Sequence, residues 1–224
     1  MSLQHTYVYE FFKDFTAPVV ALIGITVTGA MAGFGLRSFA KFKREKLEER
    51  RIEVALDALA IAYESKFVFQ MVRVRAARQD EYSDYVDDSS GAPLTLRKDQ
   101  RGAYAVLKRL QSHNELFVSV YKIEPRFMAV FGADTEAIFS SLHSARNQLE
   151  AAAQTLFEIG RIEDDPGDRS TGEDKRQLKA FIFRGPTEEK ENDKIGDLVD
   201  GFQAKIEAIC RPIVDQQYAK QKSA

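Results

Sequence analysis

The sequence predicts an all-α membrane protein: one transmembrane helix that continues into a juxtamembrane helix, followed by a cytoplasmic antiparallel helical bundle. Three observations lead to this fold class. Residues 15–36 contain no charged side chain, although charged residues make up 29% of the 224-residue chain. Apolar residues after this segment recur at spacings of three and four, as in amphipathic helices. Only 6 Pro and 13 Gly are present, so a few long helices joined by loops pack most economically as a bundle.

Residues 15–36 have the length of a single membrane span. At about 1.5 Å rise per residue, a helix of this length extends roughly 33 Å, enough to cross a hydrocarbon core of about 30 Å. Asp14 precedes the segment and Arg37 follows it. A charge inside the bilayer costs several kcal/mol, so these two residues mark the boundaries of the predicted span. Pro18 falls in the first turn, where its missing N–H does not break the helix.

Two other interpretations of this segment were weighed. Ala30-Met31-Ala32 imitates a signal-peptide cleavage site, but residues 1–14 carry little positive charge and the apolar run continues beyond that point. A buried helix of a soluble protein would usually carry more polar side chains than the threonines at 16, 26 and 28, whose hydroxyls can bond to their own helix. The membrane span is favoured over both.

Basic residues are scarce before the predicted span and frequent after it. Residues 1–14 contain one Lys, whereas residues 37–51 contain seven Lys and Arg. The positive-inside rule therefore places residues 1–14 outside and the rest of the chain in the cytoplasm. Close to the span, the basic residues are expected to contact anionic lipid headgroups: Arg37, Lys41, Lys43, Arg44 and Lys46. This charge predicts a membrane contact and no nucleic-acid partner.

Charge divides the cytoplasmic part into two segments. Residues 37–78 carry 11 Lys and Arg against 6 Asp and Glu, whereas residues 79–224 carry 20 against 26. An anionic membrane attracts the first segment and repels the second. We therefore expect a basic juxtamembrane helix over residues 37–78, and an acidic helical bundle over residues 79–224 that packs with residues 47–78.

The juxtamembrane helix is predicted to end near Arg78 and to bury one apolar stripe in the bundle. The sequence KFVFQMVRVR, residues 66–75, also alternates like a strand, but no turn signal flanks it, so the helix is favoured. The stripe consists of Ile52, Leu56, Leu59, Tyr63, Phe67, Met71 and Val74.

Breaks and caps predict the following elements. A polar loop at residues 79–94 precedes a helix over residues 95–122. After this helix, Pro125 is expected to interrupt the helical structure. Asp134 is expected to cap a helix of about 25 residues that ends at Gly160.

Beyond this helix, an acidic loop at residues 163–174 is predicted to lead into a short segment at residues 175–183. A last helix is expected to bend at Pro212. The predicted core positions of these helices are Tyr104, Leu107, Leu110, Leu116, Phe117, Ile138, Leu142, Leu149, Ala153, Leu156, Ile195, Leu198, Phe202, Ile206, Ile209, Ile213 and Tyr218.

The chain lacks the motifs of common nucleotide-binding and hydrolytic enzymes. It contains no G-x-x-x-x-G-K-[ST], G-x-G-x-x-G, G-x-S-x-G or H-E-x-x-H sequence. Its single cysteine permits neither an intramolecular disulfide nor a cysteine-based zinc site, in agreement with a reducing compartment. We therefore predict no catalytic residue, no metal and no cofactor.

Three groups of polar residues have a binding interpretation and a simpler structural one. His143 shares a helix face with Glu136 and Glu150, but the Glu-x-x-His step of bundle metal sites is absent, so a polar helix face is favoured. The acidic loops do not follow the order of a calcium loop, so solvated loops are favoured. The arginines at 73, 75 and 78 could bind a phosphate or an acidic partner, but the solvent-facing side of a helix is the simpler interpretation.

Cys210 falls on the apolar stripe of the last helix and is interpreted as a small core residue.

Small residues within the predicted span give the most specific interaction signal. Gly29 and Gly33 form a G-x-x-x-G, and Gly24, Thr28 and Ala32 form a second ridge at spacings of four. Such ridges allow two helix backbones to approach closely. We expect self-association through these residues; the alternatives are contact with another membrane protein and simple contact with lipid.

The stretch YEFFKDFTAPVVALIG, the basic helix after the span and LDALAIAYESKF together resemble uncharacterised bacterial single-pass membrane proteins with a helical cytoplasmic region. The resemblance covers residues 9–70, and it implies a bacterial inner-membrane location and no particular activity.

The sequence as a whole favours an interaction or scaffolding protein that is anchored in the membrane and binds or regulates a partner at its cytoplasmic face. Its expected partners are the bilayer, further copies of the chain and an unidentified protein. The alternative is an oligomerising effector that permeabilises the membrane. A membrane-tethered enzyme, with His143 or His113 in a deep polar pocket, is the third hypothesis.

Overall fold

The computed structural model describes residues 3–83, 85, 96–160, 169–184 and 193–222. Most of this part of the chain is helical and none of it forms a named strand, which confirms the predicted all-α class, and it contains one long apolar N-terminal helix. The six helices are α1 (Leu3–Val72), α2 (Lys98–Ser112), α3 (Asn114–Phe131), α4 (Glu136–Ile159), α5 (Arg169–Ile182) and α6 (Lys194–Lys222). Two 3₁₀ turns, Gln79–Glu81 and Ala133–Thr135, precede α2 and α4.

The chain divides into two compact units, Met1–Arg51 and Ile52–Ala224. The first unit is the N-terminal part of α1. Within the described residues, α1 is the one helix that is long and apolar enough to cross a membrane, judged by length and composition. Its large apolar side chains are exposed: Val20, Leu22, Ile23, Ile25, Val27, Met31, Phe34, Leu36, Phe39, Phe42 and Leu47.

The second unit is organised around α4, which packs against α2, α3, α5 and α6. Phe139 of α4 lies edge-on to Phe127 of α3, with ring centroids 5.4 Å apart, and to Phe202 of α6, at 5.6 Å. All predicted core positions of α4 are buried, and the full buried set is Ile138, Phe139, Leu142, Ala145, Leu149, Ala152, Ala153 and Leu156. The apolar spacing within α4 was therefore read correctly from the sequence.

The C-terminal part of α1 buries a different face from the predicted one. Leu59 is buried and Ile52 is half-buried, but the remaining members of the predicted stripe are exposed: Leu56, Tyr63, Phe67, Met71 and Val74. The face that joins the core instead carries Val54, Ala55, Ala58, Leu59, Ala62, Val68, Phe69 and Val72. Three of its members are alanines, which a pattern of large apolar residues does not include, so the predicted face was wrong.

The ends of the first three helices also differ from the prediction. Helix α1 ends at Val72 rather than near Arg78, because Val74 forms a parallel β-bridge with Arg184, whose N–H donates to the Arg73 carbonyl at 3.1 Å. The single helix expected over residues 95–122 is divided at His113 into α2 and α3.

Pro125 does not interrupt the helix, contrary to the prediction. Helix α3 continues through it to Phe131 and ends at Gly132, whose φ of 108° lies in a region that glycine tolerates.

The later helices follow the prediction more closely. Helix α4 has 24 residues and ends before Gly160 as expected, although Asp134 lies in the preceding 3₁₀ turn and Thr135 occupies the N-cap position. Helix α5 begins at Arg169, so part of the predicted acidic loop is helical. Helix α6 includes Pro212, and the predicted bend there stays a prediction.

The other predicted core positions are mostly covered. Leu110, Leu116, Phe117, Ile195, Phe202 and Ile206 are buried, and Tyr104, Leu107, Leu198, Ile209 and Ile213 are half-buried. The Tyr218 side chain, and residues 86–94 of the predicted polar loop, lie outside the described part.

We predict that Phe139→Ala lowers the free energy of unfolding by about 3–5 kcal/mol, because it removes a fully buried ring from the centre of the core. Phe67→Ala removes the same atoms from a side chain that is 60% exposed, and it should cost less than about 1 kcal/mol. Denaturant unfolding of the full chain in detergent, followed by circular dichroism, measures both. Equal losses in the two variants would contradict the observed choice of buried face.

Candidate functional site

Helix α1 presents the predicted small residues on an open surface. Gly24, Thr28, Gly29 and Ala32 line one shallow groove together with Ile25. A Cβ added at Gly24, Gly29 or Gly33 would meet no atom within 4 Å, so nothing in the described residues covers this surface. The Thr28 hydroxyl donates to the Gly24 carbonyl at 2.7 Å, which satisfies its polarity within the helix. Helix association at these residues stays a prediction.

The predicted headgroup contacts lie on the next turns of α1. Arg37, Lys41, Lys43, Arg44 and Lys46 are all exposed. The Lys41 Nζ lies 3.7 Å from Glu45 Oε1, and the Lys46 Nζ lies 2.6 Å from Glu49 Oε2. Ion pairs between such exposed side chains contribute little stability. The positive charge of this segment therefore remains accessible to an anionic surface.

The exposed face of α1 in the second unit forms what we call the apolar stripe. It consists of Leu56, Tyr63, Phe67 and Met71, together with Val74 two residues beyond the end of α1, each at least 39% exposed. An exposed apolar patch of this kind typically marks an interaction surface.

Polar contacts border the apolar stripe on two sides. On one side Arg126 of α3 lies 3.3 Å from Asp57. On the other, Lys66 pairs with Asp200 of α6 at 3.0 Å, and Arg211 donates to the Tyr63 hydroxyl at 2.8 Å. These contacts hold both edges of α1 and leave the stripe open between them.

The sequence favoured a solvent-facing position for Arg73. This prediction was wrong, because the side chain is only 4% exposed. Its guanidinium binds both carboxylate oxygens of Asp193, at 2.7 and 2.9 Å. It also donates to the carbonyls of Ile182 at 3.0 Å and Phe181 at 3.3 Å. This one side chain therefore joins the end of α1 to the end of α5 and the start of α6.

Asp193 is also the residue before α6, and it accepts a hydrogen bond from the Gly196 N–H at 3.0 Å. Burial by itself would raise the pKa of this carboxyl. The hydrogen bonds from Arg73 and Gly196 outweigh burial, so the pKa of Asp193 lies below its ordinary value of 3.8. The carboxylate is therefore charged at neutral pH.

A second arginine fixes the segment after α1 from the side of α2. Arg109 donates to the carbonyls of Val74 at 2.7 Å and Ala76 at 2.6 Å. It also pairs with the Glu81 carboxylate at 2.6 Å. The hydrogen bond from Arg109 holds the pKa of Glu81 below its usual range, against the opposite effect of burial. Of the predicted arginine group, Arg78 is exposed.

Arg75, the third member of that group, lines a cleft that we call the basic cleft. This cleft has a volume of about 640 Å³ and is built from four parts of the second unit: the segment after α1, the start of α2, the end of α4, and α5 with the residue after it. Tyr82, Phe183 and the backbone at Gly102 and Gly160 contribute to its walls. Every charged residue in its described lining is basic: Arg75, Arg97, Lys98, Arg101, Lys175 and Lys179.

The basic cleft is not among the sites that the sequence predicted. Cations spaced three or four residues apart at the start of α2 and within α5 were the available signal, but nothing local showed that the two helices share one cleft.

The two described histidines of the second unit each contact neighbouring groups of the chain. His143 Nε2 lies 3.0 Å from a Glu124 oxygen, and its ring stacks on Tyr121 with centroids 4.5 Å apart. His113 Nδ1 lies 2.8 Å from the Arg109 carbonyl. Within the described residues, no group of three or more His, Cys, Asp or Glu side chains could hold a metal ion.

Cys210 is buried in α6, as the apolar spacing of the last helix predicted. Burial raises the pKa of its thiol to about 12, so the side chain stays protonated at neutral pH.

Comparison with protein-family models, with curated proteins and with solved structures finds no match to this chain. Function is therefore argued from the chain's own surfaces: the groove and apolar stripe of α1, and the basic cleft.

We predict that Asp193→Asn lowers the free energy of unfolding at pH 7 by about 2–3 kcal/mol, because it leaves a buried guanidinium without its charged partner. The loss should shrink as the pH falls through the lowered pKa of Asp193, since the wild-type carboxylate is then protonated as well. Denaturant unfolding of both proteins between neutral and strongly acidic pH measures this difference. A difference that is constant over the whole pH range would contradict the ion pair.

Proposed function

We propose that the chain is a membrane-anchored helical interaction protein that acts as a scaffold at the cytoplasmic face of a bacterial inner membrane. The exposed apolar segment of α1 supports the anchor, since only lipid or another apolar surface covers such a segment at low cost. The exposed basic residues that follow support a cytoplasmic location for the second unit and an outside location for residues 1–14.

We further propose that the second unit is an antiparallel helical bundle. Contacts between α1 and its neighbours support opposite chain directions. Asp57 of α1 is close to Arg126 of α3, whereas Phe69, later in α1, packs edge-on against Phe117, earlier in α3. Likewise, Tyr63 meets Arg211 of α6, whereas Arg73 meets Asp193.

The apolar stripe is the observation that carries the proposed binding function. The proposed occupant of this stripe is a second copy of the chain. Two copies inserted in one membrane with the same orientation present the same positions of α1 at the same height, so the stripe faces itself across a two-fold axis. Taken by itself, the open ridge around Gly29 and Gly33 supports self-association of the span within the bilayer.

We predict that Ile25→Arg combined with Met31→Arg removes the protein from the membrane fraction that resists alkaline extraction. Each arginine at the centre of a span opposes insertion by about 2.5–3.5 kcal/mol. Leu47→Arg is the matched control, since Leu47 is equally exposed on the same helix beyond the predicted span. Extraction of the wild-type protein by alkali, or retention of the double variant, would overturn the anchor.

A Phe67→Cys variant tests self-association through the apolar stripe. Native Cys210 is buried with a raised thiol pKa, so it does not compete for a thiol cross-linker. We expect a short bismaleimide, applied to native membranes, to link two Phe67→Cys chains. Adding Gly29→Leu and Gly33→Leu should reduce the yield by blocking close approach of the spans.

Gln154→Cys provides the control position for this experiment, because Gln154 is exposed on α4 rather than on the stripe. Equal cross-linking at both positions would mean random collision and would overturn the proposed interface. A product that joins the Phe67→Cys variant to a different protein would replace the second copy by that protein.

A further inference from the structure

The basic cleft is separate from the surfaces used in the proposed function. Its lining shares no residue with the apolar stripe or with the groove on α1. Its volume of about 640 Å³ falls within the range of small-molecule sites. A concave site lined by one sign of charge concentrates the electrostatic potential, and it therefore favours ligands of the opposite sign.

A neighbouring cleft provides a contrast within the same unit. That cleft, of about 280 Å³, is lined by Lys66, Arg73 and Arg184, and also by Asp193, Asp197 and Asp200. Its cations are balanced by carboxylates of the chain itself, as the bidentate pair of Arg73 and Asp193 shows. In the basic cleft, no described lining residue is acidic. The two clefts therefore differ in the ligands they suit, and only the basic cleft suits an anion.

The start of α2 strengthens this preference. Arg97, Lys98 and Arg101 line the cleft from the first turn of a 15-residue helix, where the helix dipole and free backbone N–H groups attract anions. Arg101 is held in place, because its Nε donates to the Leu96 carbonyl at 2.7 Å and its guanidinium lies 5.2 Å from the centroid of the Tyr82 ring. A fixed guanidinium loses little freedom when it binds a ligand.

We propose that the basic cleft binds a small molecule that carries two or more phosphate groups. Cations from three separate elements surround the cleft, so they can contact more than one phosphate at once. Arginine matches the geometry of phosphate oxygens through paired N–H donors. Arg97, Arg101, Lys175 and Lys179 also make interactions within the chain, so the test of the proposal uses Arg75 and Lys98.

The same chemistry occurs in soluble polyphosphates and in lipid headgroups with two phosphates, and three probes separate these sources. The full-length protein in neutral detergent is titrated by calorimetry at low salt with ATP, with AMP and with a short-chain cardiolipin. We expect ATP to bind more tightly than AMP, and added salt to weaken the binding. Tighter binding of cardiolipin than of ATP would assign the cleft to a lipid headgroup.

Arg75→Gln combined with Lys98→Gln tests the cleft itself. Both side chains are exposed, so the fold should be retained, which the unfolding temperature checks. Losing two charge-assisted contacts should weaken binding at least about tenfold. The matched control, Lys122→Gln combined with Lys205→Gln, removes the same charge from exposed positions on α3 and α6 and should leave the affinity unchanged.

Two results would overturn the proposal. One is the absence of binding by all three probes at millimolar concentration. The other is equal weakening by the cleft variant and the control variant, which would mean a general attraction to positive charge. Neither result bears on membrane anchoring or on cross-linking of the Phe67→Cys variant, so failure of this inference is distinguishable from failure of the proposed function.

Discussion

The second unit depends on the burial of one guanidinium. A charged group removed from water costs several kcal/mol unless hydrogen bonds and an opposite charge replace its hydration. Arg73 meets this demand with two oxygens of Asp193 and the carbonyls of Phe181 and Ile182. Those four contacts join the end of α1, the end of α5 and the start of α6 at one buried side chain.

Arg109 imposes a similar constraint from the side of α2. Its donors bind carbonyls at Val74 and Ala76 and the Glu81 carboxylate, so the chain after α1 supplies acceptors to a guanidinium instead of continuing a helix. The two arginines together explain why α1 stops at Val72 although no glycine or proline follows for many residues. They also hold the segment that carries Arg75 against the basic cleft, so the geometry of this cleft depends on both ion pairs.

The sequence predicted those elements whose signals are local. The apolar spacing of α4 and the glycine after it determine a helix and its buried face within one stretch of chain, and the structure agrees. The prediction failed where the deciding contact is distant in sequence: Asp193 lies 120 residues after Arg73, so Arg73 was assigned to solvent. The face of α1 was misassigned for a related reason. Ala55, Ala58 and Ala62 are buried, and a pattern of large apolar residues does not include them.

The basic cleft shows why a net charge cannot stand for a local potential. Residues 79–224 carry an excess of acidic side chains, and from that sum the whole segment was expected to be repelled by an anionic surface. The fold nevertheless brings Arg75, Lys98 and Lys175, which lie on separate parts of the chain, to one concave site. Within a Debye length of about 10 Å, the potential felt by a ligand depends most on the charges nearest to it. A protein that is acidic on average can therefore bind an anion, provided that the fold separates its charges in space.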